Sequence, residues 1–376
     1  MVPCARELLF LVCATLVILL GCLGSTDALA GPSQPRNNGP VTIKDERIVL
    51  PNGVRAQVVS ALPEGWPRQQ NQDEILSKKG VDEEKPKPPI LFLHGSFHGA
   101  WCWQEHYIPF FVERGHPCVA FSWKGTGGTP AGEGVTKVRV VEDHCADLEA
   151  LLDCLPSILG DTGSVGDESL RPIVVSHSMG GVVVMKFLEK MARSKDLQPS
   201  ELFRGIVSMC SVPPSGNSKT TMRYLRRSLV DTYKITVGFV LKKVITDDAI
   251  CRECFFGGTG KGPEPGVSDE DLARYQGYFE RDTRAILDVT DLNQIVPSRS
   301  ADSGGRAPFV ADLPPCLVVG ARDDFIVDAV ANAETATYYG TSAPVYVDSP
   351  HDVMLGGQWR NGADALHDWI QETFLA

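Results

Sequence analysis

The sequence predicts an α/β fold: a mostly parallel central sheet covered by helices on both faces and interrupted by one large insertion. Three observations predict it. Short, β-branched apolar runs near 90–94, 117–122, 172–177, 204–210, 315–320 and 344–348 alternate with segments of helical periodicity, the pattern of repeated strand–helix units. The stretch Pro172–Lys186 passes from such a run through a serine and two glycines directly into a helical pattern. About a hundred residues separate the run ending near Cys210 from the run starting near Cys316, far more than a strand–helix connection requires.

The N-terminal segment stands apart. Leu8 to Leu23 is almost wholly apolar, follows Arg6 and leads to Ala28-Leu-Ala30, a small-residue cleavage pattern that reads as a secretory signal peptide over residues 1–30. The expected location is the secretory pathway, extracellular or membrane-associated. An uncleaved anchor and a chloroplast presequence are the alternatives, the apolar run being short of the ~20 residues a membrane span needs. The chain has no Asn-x-Ser/Thr sequon, which weighs mildly against secretion. Residues 31–40 hold three prolines and two asparagines and read as a linker. The core then runs over 41–210 and resumes over 313–376, with 211–312 as the insertion.

Within the core, 48–59 predicts a first hairpin and 65–89 a polar, charged insertion. Val138–Cys154 reads as a helix with Val141, Cys145, Leu148, Leu151 and Leu152 on one face, and 159–171 as a surface loop. A chain of 376 residues can bury a sizeable core, and a net charge of −11 argues against nucleic-acid binding. No protein partner is evident. Of eleven cysteines, Cys4, Cys13 and Cys22 fall in the N-terminal segment. The other eight are even in number, but several sit in strand or helix patterns where a buried free thiol is the expected state. Cys251 and Cys254 form a lone C-x-x-C without a second pair or nearby histidines, so no zinc is expected.

The chemistry concentrates in four places. A serine on a sharp strand-to-helix turn projects its hydroxyl above the sheet, while the helix start offers an N–H and a positive dipole end. Ser178 has this position. Small flanking residues are needed because the chain crosses itself closely there; Gly180 meets that need, and Ser176 stands where glycine is usual. Upstream, Pro88–Trp103 ends in a glycine-rich turn that can aim the Ser96 N–H at the same point as the Met179 N–H, and two converging donors make an oxyanion hole. Downstream, Cys316–Asp328 is a strand ending in acids, and Pro344–His351 a strand ending in a loop histidine. Chain order is therefore nucleophile, acid, histidine. His351 is the candidate base, since His367 falls in an amphipathic helical pattern. Spacing alone leaves Asp323 and Asp324 both open as the acid.

With these motifs in this order, the chain from about Val41 to its end resembles the α/β-hydrolase fold superfamily. The loop His94–Trp103 is similar to that of plant methylesterases and hydroxynitrile lyases, and Phe121–Thr129 resembles the family's fourth-strand turn with Ser122 in place of the leading acid. The whole set is similar to plant and algal α/β-hydrolases of largely unassigned substrate. The resemblance implies a triad of Ser178, Asp323 and His351, with Asp323 favoured by the family's G-x-x-D ending at Gly320. It also implies oxyanion donors at Ser96 and Met179 and a cap over 211–312, while His94, Phe97, His98, Trp101 and Trp103 are placed to shape an acyl pocket, with buried aromatic packing the default reading for the two tryptophans. No cofactor and no metal are expected. Asp328 and Asp352 are expected as cap or turn residues.

The implied activity is a serine esterase or lipase-like reaction on a small-molecule or lipid ester through an acyl-enzyme. A lyase on the same scaffold and a ligand receptor with a retained triad are the alternatives. Epoxide hydrolases and dehalogenases place Asp where this chain has Ser178, which disfavours them. Within the cap, Lys219, Arg223, Arg226, Arg227, Lys234, Lys242 and Lys243 face Asp231 alone across 219–244, interleaved with apolar residues. That stripe reads either as a surface for a lipid, a membrane or an anionic acyl substrate, or as an amphipathic helix pair packed on the core with solvated lysines.

Overall fold

The computed structural model describes residues 41–66, 87–160, 168–194, 198–239, 241–257, 266–283, 285–288 and 296–376, with the side chains of Asn217, Ser218, Arg227, Ile286 and Leu287 excluded. The signal-peptide and linker expectations over 1–40, most of the 65–89 insertion and residues 161–167 of the predicted loop lie outside these. Among the described residues no helix is long and apolar enough to cross a membrane.

Among the described residues ten strands form: β1 Lys44–Val49, β2 Arg55–Ala61, β3 Ile90–Leu93, β4 Cys118–Phe121, β5 Lys137–Val138, β6 Ile173–His177, β7 Gly205–Met209, β8 Ile286–Leu287, β9 Cys316–Ala321 and β10 Val345–Val347. Eight of them make one sheet in the order β1-β2-β4-β3-β6-β7-β9-β10. The β1–β2 hairpin is antiparallel, β2 joins β4 antiparallel, and every other pair is parallel. β5 and β8 pair separately.

The helices are α1 Trp101–Gln104, α2 Tyr107–Val112, α3 Ala146–Ile158, α4 Met179–Ser194, α5 Pro199–Leu202, α6 Asn217–Arg227, α7 Leu229–Phe239, α8 Asp248–Phe255, α9 Asp269–Asp282, α10 Ala329–Tyr338 and α11 Trp359–Ile370. The predicted helix at Val138–Cys154 starts later, with a wider turn over Val140–Cys145 feeding α3.

β3 shows why its strand reads as a continuous apolar run. Ile90 and Phe92 enter the core on one sheet face, and Leu91 and Leu93 enter the core on the other. A parallel strand covered on both sides needs apolar residues at every position. On the first face Phe92 meets Trp103, Tyr107 and Phe111, in the same cluster as Phe255, Tyr275, Tyr278 and Phe279 from α8 and α9. The segment between β7 and β9 is thus packed onto the core through an aromatic seam. A buried Asp282, at the end of α9, accepts from Trp101 Nε1 and from the Gly127 N–H, both at 2.8 Å. It ties that helix to two core loops.

Candidate active site

β6 ends at His177, α4 begins at Met179, and Ser178 between them has φ +51°. A non-glycine residue in the left-handed region costs of order 1–3 kcal/mol and persists only where the surroundings fix it. Here the end of β7 fixes it: the Ser178 N–H donates to Met209 O, and Ser178 O accepts from the Gly181 and Val212 N–H groups, each at 3.1 Å. Ser176 Oγ instead donates to Val207 O at 3.2 Å, within the sheet. The close approach is real on both sides. A Cβ on Gly95 would lie 2.7 Å from Ser178 Cβ, and one on Gly180 would lie 2.7 Å from His94 O.

His351 follows β10, and its Nε2 lies 3.2 Å from Ser178 Oγ. Its Nδ1 lies 2.9 and 3.0 Å from the carboxylate oxygens of Asp324. The acid beside the histidine is therefore Asp324, which corrects the expectation of Asp323. The turn after β9 is one residue longer than the G-x-x-D spacing implies: Asp323 uses its backbone N–H on Ser349 O and is exposed. Asp324 turns inward, where Oδ1 accepts from the Ile326 and Val327 N–H groups at 2.8 Å and the side chain is 1% exposed. Burial pushes the His351 pKa down, but the charge and hydrogen bond of Asp324, with a contribution from Asp352, outweigh it and hold it above the ordinary value. The N–H groups of Ser96 and Met179 donate to no acceptor among the described residues.

Of His94, Phe97, His98 and Trp101, three are withdrawn into the protein. His94 is fully buried, with Nδ1 2.8 Å from Gly95 O and Nε2 accepting from the Trp123 N–H at 3.1 Å; burial pushes its pKa well down. It pins the β3 and β4 loops together. Trp101 stacks on Tyr275 and donates to Asp282, so it is an anchor for α9. His98 is buried against Asp352, at 2.9 Å. Phe97 alone keeps some exposure, at 8%, with φ +69° and its ring among Phe239, Phe255 and Phe279.

Ser122, standing where an acid is usual, accepts from the Ala100 N–H at 2.8 Å and donates to Gln57 Oε1 at 2.9 Å. That keeps the start of α1 against the β4 turn without a charge.

The model of the Alpha/beta hydrolase family matches residues 90–361. The chain belongs to the alpha/beta hydrolase family. It is 31% identical over 116 residues to Methylesterase 1 of Arabidopsis thaliana, covering 30% of this chain and 39% of that protein. It is 27% identical over 107 residues to Methyl jasmonate esterase 1 of Vitis vinifera, covering 28% and 36%. The matched stretches thus span well under two thirds of these relatives. An epoxide hydrolase from Vigna radiata superposes with a TM-score of 0.53 at 17% identity, covering 88% of this chain and 98% of that one. A 2-hydroxy-6-oxo-6-phenylhexa-2,4-dienoate hydrolase from Rhodococcus sp. strain RHA1 gives 0.52 at 16%, covering 89% and 100%. At these identities the likeness is one of fold.

Three features of this site had not been read from the sequence. Asp352, expected in a turn, is a fully buried carboxylate. His177, just before Ser178, sets Nε2 2.9 Å from His351 O, and burial pushes its pKa down to about 3. Cys210, at the end of β7 with φ +45°, faces Asp324; burial and that carboxylate push its thiol pKa well up. Two buried clusters, His177–His351–Asp352 and Cys210–Asp324–His351, have potential ligand atoms within 4.8 Å of one another. Both share His351, whose two nitrogens already face Ser178 and Asp324, so the geometry is that of a proton network more than of a metal cage. All eight described cysteines are free, six of them buried.

Proposed function

We propose that the protein is a serine carboxylic ester hydrolase. The observation that carries this is the unbroken relay from Ser178 Oγ through His351 to Asp324. His351 Nε2 takes the Ser178 proton as Oγ attacks the ester carbonyl carbon, and Asp324 holds the imidazole with Nδ1 protonated. The oxyanion is received by the Ser96 and Met179 N–H groups. Its collapse breaks the carbonyl–alkoxy bond, and the leaving oxygen takes the proton from His351. Water, deprotonated by His351, then attacks the acyl-enzyme, releasing the acid and restoring Ser178.

The names of the relatives support an ester with a small alcohol, and the aromatic ring of Phe97, Phe239, Phe255 and Phe279 suits an apolar acyl group. A lyase reading draws no support from the site: expelling cyanide calls for a cation near the histidine, and the neighbour here is the Asp352 carboxylate. The test is a fluorophosphonate probe with a panel of esters of increasing acyl length. Labelling and turnover are expected, and both should vanish in Ser178→Ala; labelling that persists in the variant overturns the assignment.

We further propose 211–312 as a cap whose outer face meets an anionic membrane surface. Met222, Leu229, Val230 and Tyr233 are 38–74% exposed, beside Lys219 and Arg226, which are also exposed and form no ion pair among the described residues. Arg223 is engaged by Asp328 and Lys234 by Glu253, while Lys242 donates to Thr283 O. The available charge is therefore narrower than the basic stripe of the sequence.

A further inference from the structure

His98 and Asp352 are 254 positions apart in sequence, yet each sits next to a working part of the site: His98 two residues after Ser96, Asp352 directly after His351. Their side chains are 1% and 0% exposed. His98 Nδ1 lies 2.7 Å from Ser96 O, and Nε2 lies 2.9 Å from Asp352 Oδ2. A backbone carbonyl can only accept, so Nδ1 carries a proton, and a second proton lies between Nε2 and the carboxylate. Flipping the ring would point carbon atoms at both acceptors. The imidazole is thus a rigid strut between the Ser96 carbonyl and the residue after the base.

We infer that the buried His98–Asp352 pair is a positioning clamp that holds the oxyanion loop in register with His351, an inference that rests on the serine-hydrolase reading above. Burying a carboxylate is expensive unless it is paired, and the one hydrogen-bond partner of the Asp352 carboxylate among the described residues is His98 Nε2, Oδ1 having none. What the region demands is a fixed loop. Phe97, between Ser96 and His98, is held at φ +69°, a conformation that relaxes unless its neighbours over-determine it. The clamp fixes one side of that residue. The rest of the cage fixes the ring: Trp101 stacks on His98 at 5.6 Å, Phe279 and Phe255 meet it edge-on at 4.9 and 5.6 Å, and the Asp352 N–H donates to Phe255 O at 3.0 Å. The end of α8 therefore bears on the same strut, linking the cap to the Ser96 donor.

The experiment uses the full chain, with Ser178 labelling and ester turnover of the wild type as the control. If the wild type does neither, the hydrolase reading fails and the clamp is judged by the ring nitrogens alone. In Asp352→Ala, kcat at the pH plateau should fall about a hundredfold, as when one oxyanion donor is lost, with KM little changed. The affinity of a trifluoromethyl ketone, which needs the oxyanion donors, should fall in parallel. Asp352→Asn can donate to His98 Nε2 and should restore most of the loss. A folded Asp352→Ala with wild-type plateau kcat, its pH profile merely displaced, would show that Asp352 acts only on the charge of His351, and overturns the clamp. If Asp352→Ala does not fold, ¹⁵N shifts of the histidine rings decide, with His98 assigned from His98→Gln. Nδ1 of His98 protonated in the wild type and in Asp352→Asn supports the clamp, and Nδ1 unprotonated overturns it.

Discussion

Asp324→Asn is the sharpest test of the proposed mechanism, because the surroundings dictate which way the amide must turn. Oδ1 of Asp324 accepts two backbone N–H groups, from Ile326 and Val327, both at 2.8 Å. An asparagine keeps those bonds only by placing its carbonyl oxygen there. Its NH₂ then occupies the Oδ2 position, 2.9 Å from His351 Nδ1. The amide oxygen stays 3.0 Å from the same nitrogen but is already taken by two backbone donors, so the nearer NH₂ favours the His351 tautomer with its proton on Nε2, the nitrogen that must be free to take the proton of Ser178. The wrong tautomer at a triad histidine costs about 10⁴ in kcat, equivalent to about 5 kcal/mol of transition-state stabilisation. Asp323→Asn, at an exposed side chain, should stay within about twofold, as surface substitutions do. Steady-state kinetics on one aryl ester measures both. The pH profile adds a sign: Asp324 raises the His351 pKa, so activity, which needs neutral His351, should fall on acidification at a pH above the ordinary histidine value, and residual Asp324→Asn activity should persist to lower pH. A larger loss in Asp323→Asn than in Asp324→Asn would refute the assignment.

Gly95→Ala should slow both turnover and fluorophosphonate labelling by tenfold or more, since the new Cβ would sit 2.7 Å from Ser178 Cβ and 3.1 Å from His177 Nδ1 and a misplaced nucleophile loses ~10²-fold. Ser178→Gly should raise the melting temperature by relieving φ +51°, an effect of about 1 kcal/mol that Ser178→Ala should not share; equal melting points would argue against strain at the turn. For the cap, Leu229→Ser with Tyr233→Ser should weaken binding to anionic vesicles more than Lys242→Gln does, because Lys242 is occupied by Thr283 O, and no difference between the two would return α7 to an ordinary solvated face. N-terminal sequencing of protein from its native source should find Gly31 or a close neighbour; an intact Met1 would remove the signal-peptide reading.

The strands were legible because a parallel strand buried on both faces leaves an uninterrupted apolar run, as Ile173–Val175 and Cys316–Val319 do. Ser178 was legible because its turn needs small neighbours at fixed offsets. The acid was not, since Asp323 and Asp324 are adjacent and identical, and only the direction of the chain after Ala321 decides which enters. Three of the pocket residues turn inward for a related reason. His94, His98 and Trp101 are polar or aromatic residues in a catalytic loop, which in a sequence looks the same whether they face substrate or protein. The structure turns each toward a partner far along the chain, at Trp123, Asp352 and Asp282, and nothing local could announce those pairings.

Strain ties these observations together. Among the described residues, four other than glycine have positive φ, and three of them are Phe97, Ser178 and Cys210. They lie beside the proposed oxyanion donor Ser96, at the proposed nucleophile, and against the carboxylate beside the proposed base. Ser178 and Cys210 directly follow β6 and β7, and Phe97 lies in the loop after β3, where neighbouring groups can resist relaxation: Met209 O and the Val212 N–H hold Ser178, Val319 O accepts from the Cys210 N–H at 2.8 Å, and the His98–Asp352 pair bears on Phe97. A sheet edge could not do this, because its backbone groups would be free to follow the strained residue. The three strained residues therefore follow β3, β6 and β7 at the middle of the sheet, where distortions of order 1–3 kcal/mol each can be borne by strands paired on both sides, while the unstrained His351 comes from the loop after the edge strand β10.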